Sequence, residues 1–455
     1  MSAQANNSTE SEARPPLLED LESRQMLSGF ANGMDADGDL YTITLKGPGS
    51  LAVDAGSVPG VIESIQLTGT TARSSLTIKV TRKGEGDGLL SVGSISTTDA
   101  ASSLKSLSAA GVDLLGNASG IGLAIEGGLS SLKLHDLANG ADVQIGTPGV
   151  YDPTLKAITV SLHAVGFDSS LFFSSAIGTL TAVDFAQSTL LDAAAIKTLK
   201  VSEHFQGSLN IAGNLGTATI GGWIGENWTV GGNGGTIKFG ASSTDWIASF
   251  GGDVKSLTAK STMSFTTFTA DSVQSVKAID MTAGTMSLSG AASSKKLTLG
   301  KLAVTNWMDA VTVRAAGNVG SVTAGGMNAS NVFAGVEADI DGLLSDLSAA
   351  QTYLGNTDFR IAKVVINGAV DPLDPTNRNS MIDSNIIAGE IAYAKLRGVE
   401  LDNADEPFGL AARTFAGPVI VQQPVGPSYR TYTTYTMGKN WMLASPNDFE
   451  VVRLV

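Results

Sequence analysis

The feature that most constrains this chain is a six-residue phrase that recurs at a nearly fixed step. It runs apolar, any, small hydroxyl, apolar, polar, apolar. Examples are Ile177-Gly-Thr-Leu-Thr-Ala182, Ile196-Lys-Thr-Leu-Lys-Val201, Leu215-Gly-Thr-Ala-Thr-Ile220 and Val273-Gln-Ser-Val-Lys-Ala278. The fourth position falls at Leu180, Leu199, Ala218, Ile237, Leu257, Val276 and Leu297, in steps of 19, 19, 19, 20, 19 and 21. It extends at looser spacing back to Leu132 and Ile158 and on to Val322, Leu347 and Val364. Within the phrase, positions 4 and 6 are apolar and position 5 polar, the period-2 signature of a strand with one face buried. A second short strand precedes most phrases, as at Leu209-Asn-Ile211 and Trp228-Thr-Val230. Between the two lie Gly pairs such as Gly213-Asn214, Gly251-Gly252 and Gly317-Asn318, expected to supply positive φ at tight corners.

A coil of about 20 residues cannot bury its apolar side alone, but stacked on a copy of itself it can. The expected fold is therefore all-β: a parallel β-helix solenoid with capping segments at both ends. Left-handed coils built on hexapeptides step in multiples of six, which 19, 20 and 21 do not fit, so the right-handed form is preferred. The expected organisation is residues 1–29 as a disordered N-terminus, 30–400 as the solenoid with its N-terminal cap, and 401–455 as a C-terminal cap. The last of these is punctuated by Pro407, Pro418, Pro424 and Pro427.

Composition narrows the function classes. Of 455 residues, 29 are Lys or Arg and 43 are Asp or Glu, a formal net charge of −14, and there is no Cys. Without cysteine there is no disulfide framework, thiol nucleophile or zinc ribbon. An acidic chain repels phosphate, so nucleic acid is excluded as a partner. No uncharged apolar run is long enough to span a bilayer, and no apolar core after a basic start marks an ordinary secretory signal.

Leu21-Glu-Ser-Arg-Gln-Met-Leu27, between Pro16-Leu-Leu-Glu-Asp20 and Ser28-Gly29, resembles the short LEPR-XLL element. That element precedes many large surface or secreted proteins of planctomycete-type bacteria. Ser23 stands where the family has Pro, and Met26 where it has Leu. The phrases themselves, the segment Ile391-Ala-Tyr-Ala-Lys-Leu-Arg-Gly-Val-Glu-Leu-Asp-Asn403 and Pro407-Phe-Gly409 resemble repeat-bearing members of the same group. The resemblance implies an extracellular or cell-surface destination and carries no catalytic residues.

Counted from the start of each phrase, Asp136, Asp184, Glu203 and Asp280 fall at position 8, His163 and His204 at position 9, and His135 at position 7. In stacked coils Asp184 and Glu203 would be neighbours about 5 Å apart, flanked by His163 and His204. Paired carboxylates suit glycosidic-bond chemistry, and an adjacent imidazole could act as base or metal ligand. The plainer reading is a row of solvated corner residues. Asp35-Ala-Asp-Gly-Asp39 sets three carboxylates at alternate positions, hard oxygen donors of the kind calcium takes. Leu40 and Lys46 stand where an EF-hand needs Gly and Glu, so the alternatives are a turn-bound calcium or a plain Asp/Gly turn. Of Trp223, Trp228 and Trp246, at least two are expected in the core, and exposed ones would offer sugar rings a stacking platform.

The preferred functional reading is a non-enzymatic cell-surface or extracellular solenoid with a structural, adhesive or spacer role, in contact with polysaccharide or other surface proteins. The alternative is a carbohydrate-active enzyme, a polysaccharide lyase or glycosidase, using the Asp184, Glu203, His204 and His163 row.

Overall fold

The computed structural model describes residues 29–454 apart from 57–59, 100, 153, 291–296, 337–358, 371–376, 405, 426–427, 436–440 and 443–447. The period-2 phrases form strands, and these pair in parallel with the strands one step further along the chain. Leu180 lies opposite Leu199, then Ala218, Ile237, Leu257 and Val276, a single inward column that is fully buried. On either side of this run the register departs from the phrase. Val160 rather than Ile158 precedes Leu180, and Leu302 rather than Leu297 follows Val276. The phrase at Leu344–Ala349 lies outside the described residues. A second inward column runs Leu171, Leu191, Leu209, Trp228, Ala248, Phe268 and Met286.

The two columns enclose a continuous apolar interior. Its middle is an aromatic cluster. The Phe185 and Phe205 rings lie 4.8 Å apart, Phe205 meets Trp228 edge-on at 5.6 Å, and Trp228 meets Trp246 edge-on at 5.8 Å. Such edge-to-face pairs add to the burial of large apolar surfaces.

The expectation of an open parallel β-helix solenoid, with its preferred right hand, is corrected here. Of the described strands 41 join into one sheet, while Ala164–Val165 with Asp184–Phe185 and Trp223–Ile224 with Ala241–Ser242 form two small separate pairs. This sheet runs 347° around its axis and leaves one unsealed seam, an all-β, nearly closed barrel. The cause lies at the corners, which the phrase pattern reads as breaks between strands. Asp280–Leu288 passes through its bend unbroken and pairs with both Thr262–Ser264 and Thr267–Ala270. Trp307–Ala315 likewise pairs with both Gly326–Asn328 and Asn331–Ala334. Arg360–Ile361 is bonded to Asn318–Ala324 on one side and Asn385–Ile391 on the other. Strands that continue around a corner satisfy their backbone groups in one ladder, so adjoining faces fuse.

The corner glycines also work differently from expectation. Gly213 and Gly251 do not take positive φ. They are needed because the neighbouring strand comes close: an added Cβ would lie 2.9 Å from the Ala194 carbonyl oxygen at Gly213 and 2.3 Å from that of Gly231 at Gly251. Beside them a side-chain ladder ties successive turns. Asn214 Oδ1 accepts the Asn233 N–H, Asn233 Oδ1 accepts that of Asp253, and Asp253 Oδ1 accepts the Ser272 hydroxyl.

Antiparallel strands lie at the two ends. Leu40–Lys46 sits between Phe30–Met34 and Ser75–Thr81, and Ser50–Asp54 pairs with Ile62–Thr68. At the other end Val419–Val425 pairs with Ser428–Tyr435 and Trp441–Met442 with Phe449–Arg453. The parallel ladder continues past residue 400, since Phe408–Phe415 pairs with both Asn385–Ile391 and Phe449–Arg453.

Candidate metal centre

One edge of the barrel carries a row built from the residues just after the phrase strands. Ala164 lies opposite Asp184, and the neighbouring bridges Phe185 to Phe205 and Phe205 to Ile224 continue it through His204 and Trp223. The alternation buries Val165, Phe185, Phe205 and Ile224 inside and turns their polar neighbours outward.

At the N-terminal end of the row two Asp–His pairs sit side by side. His135 Nδ1 is 2.7 Å from Asp113 Oδ1, and His163 Nδ1 is 2.7 Å from Asp136 Oδ1. Asp136 Oδ2 also reaches His135 Nδ1 at 3.5 Å. The two rings stack, with centroids 4.5 Å apart and planes within 7°. An ionised carboxylate only accepts hydrogen bonds, so each Nδ1 carries the proton it donates and each neutral ring keeps its lone pair on Nε2. Backbone groups fix the acids: Asp113 Oδ1 accepts the Asp136 N–H and Asp136 Oδ1 that of Ala164. His163 is half exposed, with His135 and Asp136 more sheltered.

Among the described residues, two groups of side chains are gathered closely enough to hold a metal ion. They are His135, Asp136 and His163, and Asp35, Asp37 and Asp39; within each, ligand atoms lie within 4.8 Å of one another. The second group is the Asp/Gly turn singled out in the sequence. Asp35 Oδ1 accepts the Gly38 and Asp39 N–H groups, and Asp37 Oδ2 that of Asp87. Burial and a hydrogen bond with Asp37 push the Asp35 carboxyl above its ordinary value, while Asp37 is held below it by that same bond and by the Asp87 N–H.

The remaining row residues are arranged differently from expectation. Asp184 Oδ1 accepts the backbone N–H of His204, and the Glu203 N–H bonds to the Val183 carbonyl. Asp184 thus lies opposite His204, with Glu203 one position off and exposed. His163 is held by Asp136 instead of flanking Asp184. His204 Nδ1 accepts the Trp223 N–H, which leaves the proton of the neutral ring on Nε2. The row therefore offers lone pairs at one end and a donor further along.

Sequence reasoning missed Asp113, which lies outside the position-8 row; its neighbour in the ladder, Val112, gave no sign of a partner for His135. Of the three tryptophans, Trp228 and Trp246 are buried in the aromatic cluster and Trp223 is 49% exposed. Trp223 lines a hollow of about 250 Å³ with Glu226 and Asp245.

The reading as a structural, adhesive or spacer solenoid is overturned by these findings, since the chain is a nearly closed barrel that carries, among the described residues, two ligand clusters and an aromatic cluster. The resemblance to LEPR-XLL repeat proteins is corrected with it: the nearly closed barrel is not the solenoid architecture typical of that group. The motif at Leu21–Leu27 lies outside the described residues. No family model, curated protein or solved structure matches this chain.

Proposed function

We propose that this protein is a carbohydrate-active enzyme that cleaves polysaccharide, acting as a lyase or glycosidase, with a divalent cation held by His135, Asp136 and His163. The observation that carries this reading is the pair of Asp–His couples on successive strands, with ligand atoms inside 4.8 Å. Mixed nitrogen and oxygen donors suit zinc-like ions, and a bound cation would place positive charge on an otherwise acidic surface. Both reaction classes need a base and a proton donor flanking the scissile bond. His163, oriented by Asp136, helps to hold the cation, which would activate a water as base, and His204 serves as donor through Nε2. The two histidines lie two strand spacings apart, about 10 Å, enough for a sugar residue between them. Asp184 holds the His204 backbone, and exposed Trp223 offers a stacking face one strand on. Asp35, Asp37 and Asp39 take calcium, which would pin the turn before Leu40–Lys46. Polysaccharide partners place the chain outside the cell or at its surface. Among the described residues no helix is long and apolar enough to cross a membrane.

The test is release of reducing ends or unsaturated products from a panel of polysaccharides. It is run on the metal-loaded protein, on protein treated with chelator, and on Asp136→Ala. The reading expects activity that is lost on chelation and in the variant. Absence of activity on every polysaccharide, or activity that the variant retains, would overturn it.

A further inference from the structure

A second site lies further along the same edge. A cleft of about 800 Å³ opens where Asp280, Trp307 and Asp309 meet. Three successive strands bend here at one register position, with Ala283, Ala310 and Ala329 at φ of 56°, 54° and 44°. The bend turns the wall of the barrel concave. The left-handed region is costly for alanine, so the ladder on both sides must hold it.

The charges of the lining are of one sign, and its polar side chains share the wall with apolar Trp307, Val370 and Ile382. Asp280 Oδ1 accepts the Trp307 N–H at 3.2 Å, and Asp309 Oδ1 accepts the Asn328 amide at 2.8 Å. Asn306 reaches Asp280 Oδ2 at 3.5 Å. Thr262 and Thr282 add hydroxyls, and the described lining holds no Lys or Arg. Trp307 forms a largely buried wall, its indole N–H donated to the Val370 carbonyl. Asp280 lies opposite Trp307, and Asp309 opposite Thr282. The two acids are thus one strand and two residues apart on the same face, about 8 Å between backbones. The spacing suits a cation of molecular size.

We infer that this cleft binds an amino sugar oligosaccharide. Its ammonium groups would meet Asp280 and Asp309, and its hydroxyls would meet Asn306, Asn328, Thr262 and Thr282. Each asparagine amide can both donate to and accept from a hydroxyl. The hydroxyl-matching lining distinguishes such a ligand from a simple polycation. The acids exclude uronate chains by repulsion. This inference goes beyond the metal centre and does not depend on it.

The test is calorimetric titration of the full chain with the tetrasaccharides of glucosamine, glucose and galacturonate, and with tetralysine. Saturable binding of the glucosamine tetrasaccharide is expected, about tenfold or more tighter than the glucose one, since a charged hydrogen bond is worth at least that factor. No uronate binding is expected. Asp309→Asn, at an exposed position that leaves the Trp307 contact intact, should weaken the glucosamine ligand about tenfold. Asp280→Asn, which keeps an acceptor for that contact, should do the same. His163→Ala should weaken metal binding yet leave the affinity for the glucosamine tetrasaccharide as it is, which separates this site from the metal centre. Absent glucosamine binding, equal binding of glucose or tetralysine, or undiminished binding by folded Asp309→Asn would overturn the inference.

Discussion

The fully buried carboxylate of Asp39 accepts the backbone N–H of Lys83 at 2.5 Å, across 44 residues of sequence, and clamps a distant turn. Its other oxygen takes the Gly88 N–H at 2.5 Å. The turn wraps so closely that a Cβ at Gly86 would lie 2.1 Å from Asp39 Oδ1. Replacing Asp39 by Ala would strand two backbone donors away from water. The expected loss is about 2–4 kcal/mol, from the cost of unsatisfied groups. Urea denaturation measures it, and a change within experimental error would mean that the turn finds other acceptors.

Asp35 and Asp37 share hydrogen-bonding contact, and their carboxyls move in opposite directions from 3.8. Asp35 is raised, so its contribution to stability is present below 3.8 and lost as pH rises through its folded value. Asp37 is lowered, so its contribution is present above 3.8 and lost as pH falls through its folded value. A calcium ion must displace the proton that Asp35 retains. Calcium affinity should therefore climb with pH just above 3.8, and binding should release protons. Titrations in two buffers of different ionisation enthalpy read this directly; identical heats in that window would count against the site.

The stacked imidazoles should act as a unit toward metal. His163→Ala and His135→Ala are each expected to weaken cobalt or zinc binding by about tenfold or more, and Asp113→Asn by a smaller factor, since it orients one ring. His204→Ala should leave affinity unchanged. Visible absorption of the cobalt form distinguishes these outcomes. Equal affinity in His163→Ala would remove that ring from the centre.

On the opposite wall Tyr151 donates its phenol to Asp192 Oδ1 at 2.5 Å. Burial, then this carboxylate, pushes the phenol up to about 12. The folded chain holds this proton more tightly than the unfolded one, so the contribution is present below pH 10 and lost as pH rises toward 12. Tyr151→Phe should lose less stability than the parent across that window. Parallel alkaline denaturation curves for the two proteins would contradict the assignment.

The central column was legible because each phrase repeats the same in-out alternation, and Leu180 through Val276 fall where that alternation puts them. The partner of Asp184 was not, since the spacing set Glu203 beside it and the structure sets His204 there. Ile177 meets Ile196 at a step of 19, whereas Phe185 meets Phe205 at 20. One extra residue enters at the corner, and a single-residue slip exchanges partners and faces. The closure of the sheet was equally hidden. Ala283 and Ala310, inside the unbroken strands Asp280–Leu288 and Trp307–Ala315, take a backbone region that alanine rarely visits, so nothing in their identity announces a strand that continues through a bend. Asn214 and Asn233, beside Gly213 and Gly232, were visible as turn residues, but their bonding from one turn to the next required the stacked geometry.

The antiparallel strands at each end bear on how this molecule behaves in a crowd. A parallel ladder with bare termini offers the next copy a template, and copies would add end on end into filaments. Here the hairpin strands Phe30–Met34 with Leu40–Lys46, and Val419–Val425 with Ser428–Tyr435, lie over the parallel rungs of the interior, so an incoming chain does not reach those rungs directly. Trimming Phe30–Lys46 or Ser428–Tyr435 would uncover interior rungs, turning a discrete particle into one prone to polymerise.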